Sequence, residues 1–149
     1  MNLKKVLTPD VVWVDLQAET KQELLEEMVN RLFKAGKITD KEAVLAAVQE
    51  REAKMSTGMQ NGVAIPHGKT DAVKSLTVAV GISKNGVKFD SMDGSLCTIF
   101  ILTVSPVNRV GPHIQFLAEV SRVISQPAER DKLLACTTHV EMYEILIGN

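Results

Sequence analysis

The chain has 149 residues, 45% of them apolar, enough for one compact domain over 1–149 that buries roughly 70% of its unfolded surface without disulfide or metal staples. Seventeen basic against eighteen acidic residues leave a net charge of −1, which excludes a global field for nucleic acid or an anionic membrane, so recognition must be local. The opening MNLKKVLTPDVVWVDL has no long apolar run before a small-residue cleavage site, and no window approaches about 18 uninterrupted apolar residues, so a cytoplasmic protein without membrane insertion is expected.

The first predicted element is a short strand over 11–15, where Trp13 alternates with Val12 and Val14 as a packing residue or part of a dimer patch. Thr20-Lys21-Gln22-Glu23 is a capping box. It opens a helix with apolar rows Leu24-Met28-Leu32 and Leu25-Val29-Phe33, stopped before Gly36. Thr39-Asp40-Lys41-Glu42 reads as a second box, opening a helix that carries Val44, Ala47, Val48 and Arg51 on one face. Strands are predicted over 62–65, 76–82 and 96–104, with turns at Lys84-Asn85-Gly86 and Asp93-Gly94. The last strand is the most apolar and is placed at the centre of the sheet. Helices follow over 113–124, over 128–135 after Pro127, and after the box Thr138-His139-Val140-Glu141. Cys97 and Cys136 lie far from any Cys-x-x-Cys spacing and read as reduced thiols. The order of elements gives an α/β chain, a three-layer α/β/α sandwich around a central mixed sheet.

The segment Asn61-Gly62-Val63-Ala64-Ile65-Pro66-His67-Gly68 holds the most chemistry. Pro66 has no N–H to give to a ladder, so the sheet is expected to stop there with His67 at the strand end. Gly68 keeps the backbone beside the ring uncluttered, so an anion could approach and main-chain N–H groups could turn toward it. Taken alone, Pro-His-Gly reads first as a plain turn. His113 follows Pro112 on the stripe through Leu117, Val120 and Ile124, so it faces inward at the edge of the core. The positive end of its helix disfavours the imidazolium and leaves a neutral ring with one N–H to donate; alone, it is a core histidine. Arg51 on an inward stripe needs a partner, either a carboxylate such as Asp90 or Asp93 or the oxygens of a phosphate. Ser56-Thr57-Gly58 offers hydroxyls and a flexible backbone. His139 and Lys69 read as surface residues, the latter able to steer an acidic partner.

Arg51-Glu52, then Ser56-Thr57-Gly58, then Asn61 through Gly68 resembles the signature of the type-2 enzyme IIA domains of the bacterial phosphoenolpyruvate-dependent sugar phosphotransferase system, the fructose, mannitol and nitrogen-regulatory group. The similarity continues through 89–94, the apolar strand 98–104 and His113-Ile114-Gln115-Phe116-Leu117-Ala118, and so spans nearly the whole chain. Gln60 departs from the pattern, standing where the family usually has a small residue, often glycine.

The resemblance implies that His67 carries a phosphoryl group on its ε2 nitrogen, that His113 supports it and that Arg51 belongs to the phosphate site. Those residue types suit the task, since a neutral imidazole nitrogen can attack the phosphoryl group of another phosphohistidine in line, leaving positioning and charge stabilisation as the main work. His113 would donate to a phosphoryl oxygen, Arg51 and the Thr57 hydroxyl would offset its charge, and N–H groups around Gly68 would complete the cradle. The scheme uses no metal and no cofactor. The implied donor is a histidine-containing phosphocarrier protein and the implied acceptor an enzyme IIB, with sugar phosphorylated only afterwards and not bound here. The nitrogen-regulatory branch of the same family is the alternative, in which the phosphorylation state controls a regulated target protein. A metallohydrolase built on His67, His113 and a carboxylate lacks any His-x-His or His-Glu-x-x-His spacing.

Overall fold

Cys97–Ser105 is a nearly unbroken apolar run, and a strand of that composition needs neighbours on both flanks and cover on both faces. In the computed structural model, which describes residues 2–148, it forms β5 and is buried along almost its whole length. β4 (Thr77–Val87) pairs with it antiparallel, while β2 (Val63–Ala64) and then β3 (His67–Lys69) pair in parallel with its other flank. β1 (Val12–Trp13) lies parallel to the outer side of β4, giving the order β1-β4-β5-β2 with β3 prolonging the β2 edge. The sheet is mixed, as the sequence predicts.

The helices are α1 (Leu3–Val6), α2 (Lys21–Lys34), α3 (Lys41–Lys54), α4 (Val110–Ile124), α5 (Pro127–Ala135) and α6 (His139–Ile147). α2 and α3 pack on each other and over β4 and β3, whereas α4, α5 and α6 form a second group over β5, β4 and β1. One group covers each face of the sheet, so the expected α/β/α sandwich is what forms. Phe89, Phe100 and Phe116 are fully buried at its centre, with the first two rings edge to face at 5.5 Å. Trp13 is a packing residue: it is 8% exposed, its Nε1 donates to the Asp10 carbonyl at 3.3 Å, and the Arg31 guanidinium lies over its ring. Cys97 and Cys136 are buried free thiols, and burial pushes the Cys97 thiol up to about 11.

Several boundaries differ from the sequence reading for identifiable reasons. The first strand begins at Val12 because Pro9–Val11 take a 3-10 turn, and it ends at Trp13, before the bend at Val14. Both Thr20–Glu23 and Thr138–Glu141 form complete reciprocal boxes, but α3 is capped by Asp40, whose carboxylate accepts from the Ala43 N–H at 3.0 Å. Aspartate is the stronger cap than the threonine before it. Lys84-Asn85-Gly86 is no turn. β4 runs through it as a bulge, with residues 83–86 facing residue 98 as the register passes from Ile82 opposite Ile99 to Val87 opposite Cys97. α4 begins at Val110, so Pro112 sits within the first turn, where its missing N–H costs nothing.

Pro66 interrupts the edge without ending it. The ladder resumes at once, because the Thr103 N–H donates to the Pro66 carbonyl at 3.2 Å and β3 then pairs with β5 as far as Ser105. His67 therefore opens a strand instead of closing one. Gly68 allows this strand to lie directly under α3, since a Cβ there would meet the Ala47 carbonyl carbon and the Val48 nitrogen, each at 2.9 Å. The space left by its absent side chain is filled by helix backbone, which cannot yield as a side chain would. Gly68→Ala is accordingly expected to lower stability by about 1–3 kcal/mol through overpacking. A shift of the urea midpoint at unchanged slope would measure it; an unshifted midpoint would mean that α3 moves away freely.

Candidate functional site

Alternation along β3 decides which side chains meet. Gly68 faces α3, so its neighbour His67 faces the opposite layer, where α4 lies. Thr103 is the β5 partner of His67 and shares that face, buried completely. On α4, the core stripe through Phe116, Val120 and Ile124 turns His113 toward the same place. The two imidazoles end up with ring centroids 5.4 Å apart and planes tilted by 40°.

Each ring is held through its Nδ1. In His67 that nitrogen lies 2.9 Å from the Ile65 carbonyl oxygen. A carbonyl can only accept, so Nδ1 carries the proton and Nε2 of the neutral ring is left with a free lone pair. In His113, Nδ1 lies 2.8 Å from the Thr103 hydroxyl oxygen. Burial holds the His113 pKa below its ordinary value, with smaller contributions in the same direction from His67 and Lys69. The site thus pairs a half-buried imidazole whose Nε2 keeps its lone pair with a second imidazole kept neutral beside it.

Of the remaining predicted residues, Gly68 lies on β3, Arg51 in the last turn of α3 and Thr57 in the loop that follows that helix. The inward stripe of that helix runs Val44, Val48 and Glu52, not Arg51. Arg51 is half-buried and donates from Nη1 to the Met55 carbonyl at 2.8 Å, and among the described residues no carboxylate pairs with it. Thr57 is buried, with both its N–H and its hydroxyl donating to the Glu52 carboxylate, the N–H at 2.8 Å. Lys21 reaches the same carboxylate at 2.8 Å and covers the Phe89 ring. The loop is tied to the β4–β5 connection by Ser56, whose hydroxyl donates to the Phe89 carbonyl at 2.6 Å, and by Asp93, which accepts from the Asn61 N–H at 3.2 Å. Hydrogen bonds led by the Ser95 hydroxyl hold the Asp93 carboxyl at about 2. Among the described residues no three of His, Cys, Asp and Glu converge to hold a metal ion.

Thr103 and Glu52 are the two residues here that the sequence reading does not single out as site residues. A hydroxyl inside an otherwise apolar strand is the signal for the first. For the second it is a carboxylate four residues after a buried valine on one helix face.

Residues 5–148 match the family described as phosphoenolpyruvate-dependent sugar phosphotransferase system, EIIA 2. The chain belongs to this family. It is thereby a phosphoryl-transfer component, with the family match running along nearly the whole sequence. This EIIA domain is 32% identical over 94% of its length to the fructose-specific EIIA component of Haloferax volcanii, covering 92% of that protein. It is 30% identical over 98% of its length to the fructose-specific EIIABC component of Bacillus subtilis, of which it spans only 23%. A crystal structure of nitrogen regulatory protein IIA-Ntr from Neisseria meningitidis superposes with a TM-score of 0.87 at 28% identity, covering 97% of this chain and 98% of that one. The fold also matches enzyme IIAMTL of Escherichia coli, solved with phosphorylated enzyme IIBMTL, at a TM-score of 0.81 and 23% identity over 96% of this chain and 98% of that one. No helix among the described residues is long and apolar enough to cross a membrane.

The depressed His113 pKa makes a testable statement about pH. Between that value and the unfolded value of about 6.5, the unfolded chain binds more protons than the folded one, so stability rises with pH across this window and is lost as pH falls through it. In a proton NMR titration, the His113 ring signals should have their midpoint below about 6.5 and move upward in His67→Ala, because one of the depressing charges is gone. A midpoint at or above the ordinary value would show that burial does not govern this ring.

Proposed function

We propose that His67 Nε2 accepts a phosphoryl group from a histidine-containing phosphocarrier protein and passes it to an enzyme IIB. The observation that carries this reading is the Nδ1–H bond to the Ile65 carbonyl, which leaves Nε2 as the one lone pair of the neutral ring. As the Nε2–P bond forms, the P–N bond of the donor phosphohistidine breaks and its electron pair returns to the donor ring. His67 takes up positive charge in that step, and the carbonyl accepting its Nδ1–H stabilises it. His113 contributes if the Thr103 hydroxyl donates to its Nδ1, because Nε2 then carries the proton and can give it as a hydrogen bond to a phosphoryl oxygen. The uncapped first turn of α4 adds free N–H groups at Val110 and Gly111 and the positive end of a helix. Arg51, in the last turn of α3 and without a carboxylate partner among the described residues, would supply cationic charge. Thr57 contributes by fixing that loop, its hydroxyl proton being held by Glu52. Gly68 brings β3 close to α3 and so fixes the level at which His67 emerges.

The fructose-specific relatives at 30% and 32% identity favour a fructose-type IIB as the acceptor, and the solved pairing of the same fold with a phosphorylated IIB supports that kind of partner. The second reading is regulatory: a nitrogen regulatory protein of Pseudomonas aeruginosa matches 99% of this chain over 96% of its own length at 26% identity. The two readings separate by whether phosphorylated protein discharges to a fructose IIB.

Incubation with phosphoenolpyruvate, enzyme I and the phosphocarrier protein should add one phosphoryl group by intact mass, and His67→Ala should take none. Label persisting in that variant would end the proposal. His113→Ala should transfer roughly 10- to 150-fold more slowly, the worth of a charge-assisted hydrogen bond of about 1.5–3 kcal/mol, with His113→Gln intermediate. Arg51→Ala should also slow transfer while leaving the fold intact; an unchanged rate would reduce Arg51 to a cap of its own helix.

A further inference from the structure

The ring of His67 is oriented by a carbonyl, and that carbonyl belongs to a chain of hydrogen bonds that can be followed into the interior. The Ile65 carbonyl holds His67 Nδ1 at 2.9 Å, while the N–H of the same residue donates to the Thr57 carbonyl at 3.0 Å. Thr57 in turn gives both its N–H and its hydroxyl to the two oxygens of Glu52. Glu52 is 7% exposed and is neutralised by Lys21, at 2.8 Å from Oε2. Three donors thus converge on one buried side chain. Among side chains only a carboxylate meets them, because it offers two acceptor oxygens and no competing N–H.

We propose that Glu52 is a positioning residue for His67, acting through the Thr57 and Ile65 peptide groups to fix the Nδ1–H tautomer and ring orientation that leave Nε2 free. The tautomer claim stands by itself; its consequence for phosphoryl transfer rests on His67 being the acceptor. The loop between α3 and β2 pairs with β2 only through the Gly58–Ala64 bridge and the bonds beside it, and the one at the His67 end joins Ile65 to Thr57, so the placing of Thr57 bears on the tilt of the 65–66 peptide. The carboxylate holds it from two sides in a dry setting, where each bond is stronger than in water. A helix-packing role alone would also explain the Lys21–Glu52 pair, since it joins α2 to α3. It would not explain why both Thr57 donors are spent on Glu52 while the Thr57 carbonyl supports the residue that grips the histidine.

The test is the nitrogen spectrum of His67 in protein labelled with 15N-histidine, at a pH where the rings are neutral. Wild type should show Nδ1 protonated and Nε2 not. Glu52→Gln keeps size and shape but offers one acceptor and adds two donors against Lys21 and Thr57, so His67 should show mixed tautomers and transfer should fall about tenfold. Thr57→Ser keeps both donors and should behave as wild type, whereas Thr57→Val loses the hydroxyl and should shift in the direction of Glu52→Gln. A folded Glu52→Gln with wild-type His67 nitrogen shifts and a transfer rate within about twofold of wild type overturns the proposal. Should Glu52→Gln fail to fold by circular dichroism, the serine and valine variants decide, and identical spectra in both overturn it equally. If wild type itself takes up no phosphoryl group, the proposed function fails while the spectra still judge the relay.

Discussion

The register that sets His67 opposite Thr103 is the constraint on which the site depends. Side chains on a strand alternate, so a slip of one residue between β3 and β5 would turn His67 into the α3 layer and bring Gly68 toward α4. Such a slip is resisted from both flanks. β5 is fixed along its length by the antiparallel pairing with β4, and β3 is fixed by the backbone contact between Gly68 and α3, which no larger residue could make. The register also determines what lies beside the histidine. Thr103 is brought level with His67 and holds His113, so one strand position serves both rings.

The polar groups inside this part of the fold are few and all committed. A buried carboxylate beside a lysine is worth little as net stability, because desolvating two charges offsets most of their attraction, while removing either partner alone is costly. The Lys21–Glu52 pair is therefore weak evidence for stability. The same logic applies to His113. Burial keeps the ring neutral, so it adds a hydrogen-bond donor or acceptor beside His67 without adding a charge that would raise the cost of bringing up a second cationic group.

Much of this was legible in the sequence. Two capping boxes, a largely apolar strand and the shift from helical to alternating periodicity define the layers, and a proline-histidine-glycine segment marks the ring that the fold sets beside His113. The departures come from places where local signals compete. On α3, residues seven and eight positions from Val44 differ by one step around the helix, and the small Ala47 does not say which row faces inward; the sheet selects Glu52. At Lys84-Asn85-Gly86 the composition is that of a turn, but the long pairing of β4 with β5 continues through it as a bulge. Pro66 cannot donate in a ladder, yet it can accept, and the Thr103 N–H uses that remaining half. Thr103 is invisible to periodicity, since a threonine in a strand is unexceptional until its partner on a distant helix is known.

Pro66 has a further effect that concerns other chains and not this one. The β2–β3 ribbon is an outer edge of the sheet, the kind of surface on which a foreign strand can add itself and begin an aggregate. Here the outward groups of β2 are already taken by its own preceding loop, through Met59 to the Val63 carbonyl, Ile65 to the Thr57 carbonyl and the bridge between Gly58 and Ala64. The next position is a proline, with no N–H to offer an incoming strand. His67 thus stands at the rim of a sheet, while the backbone around it gives little purchase for edge-to-edge association.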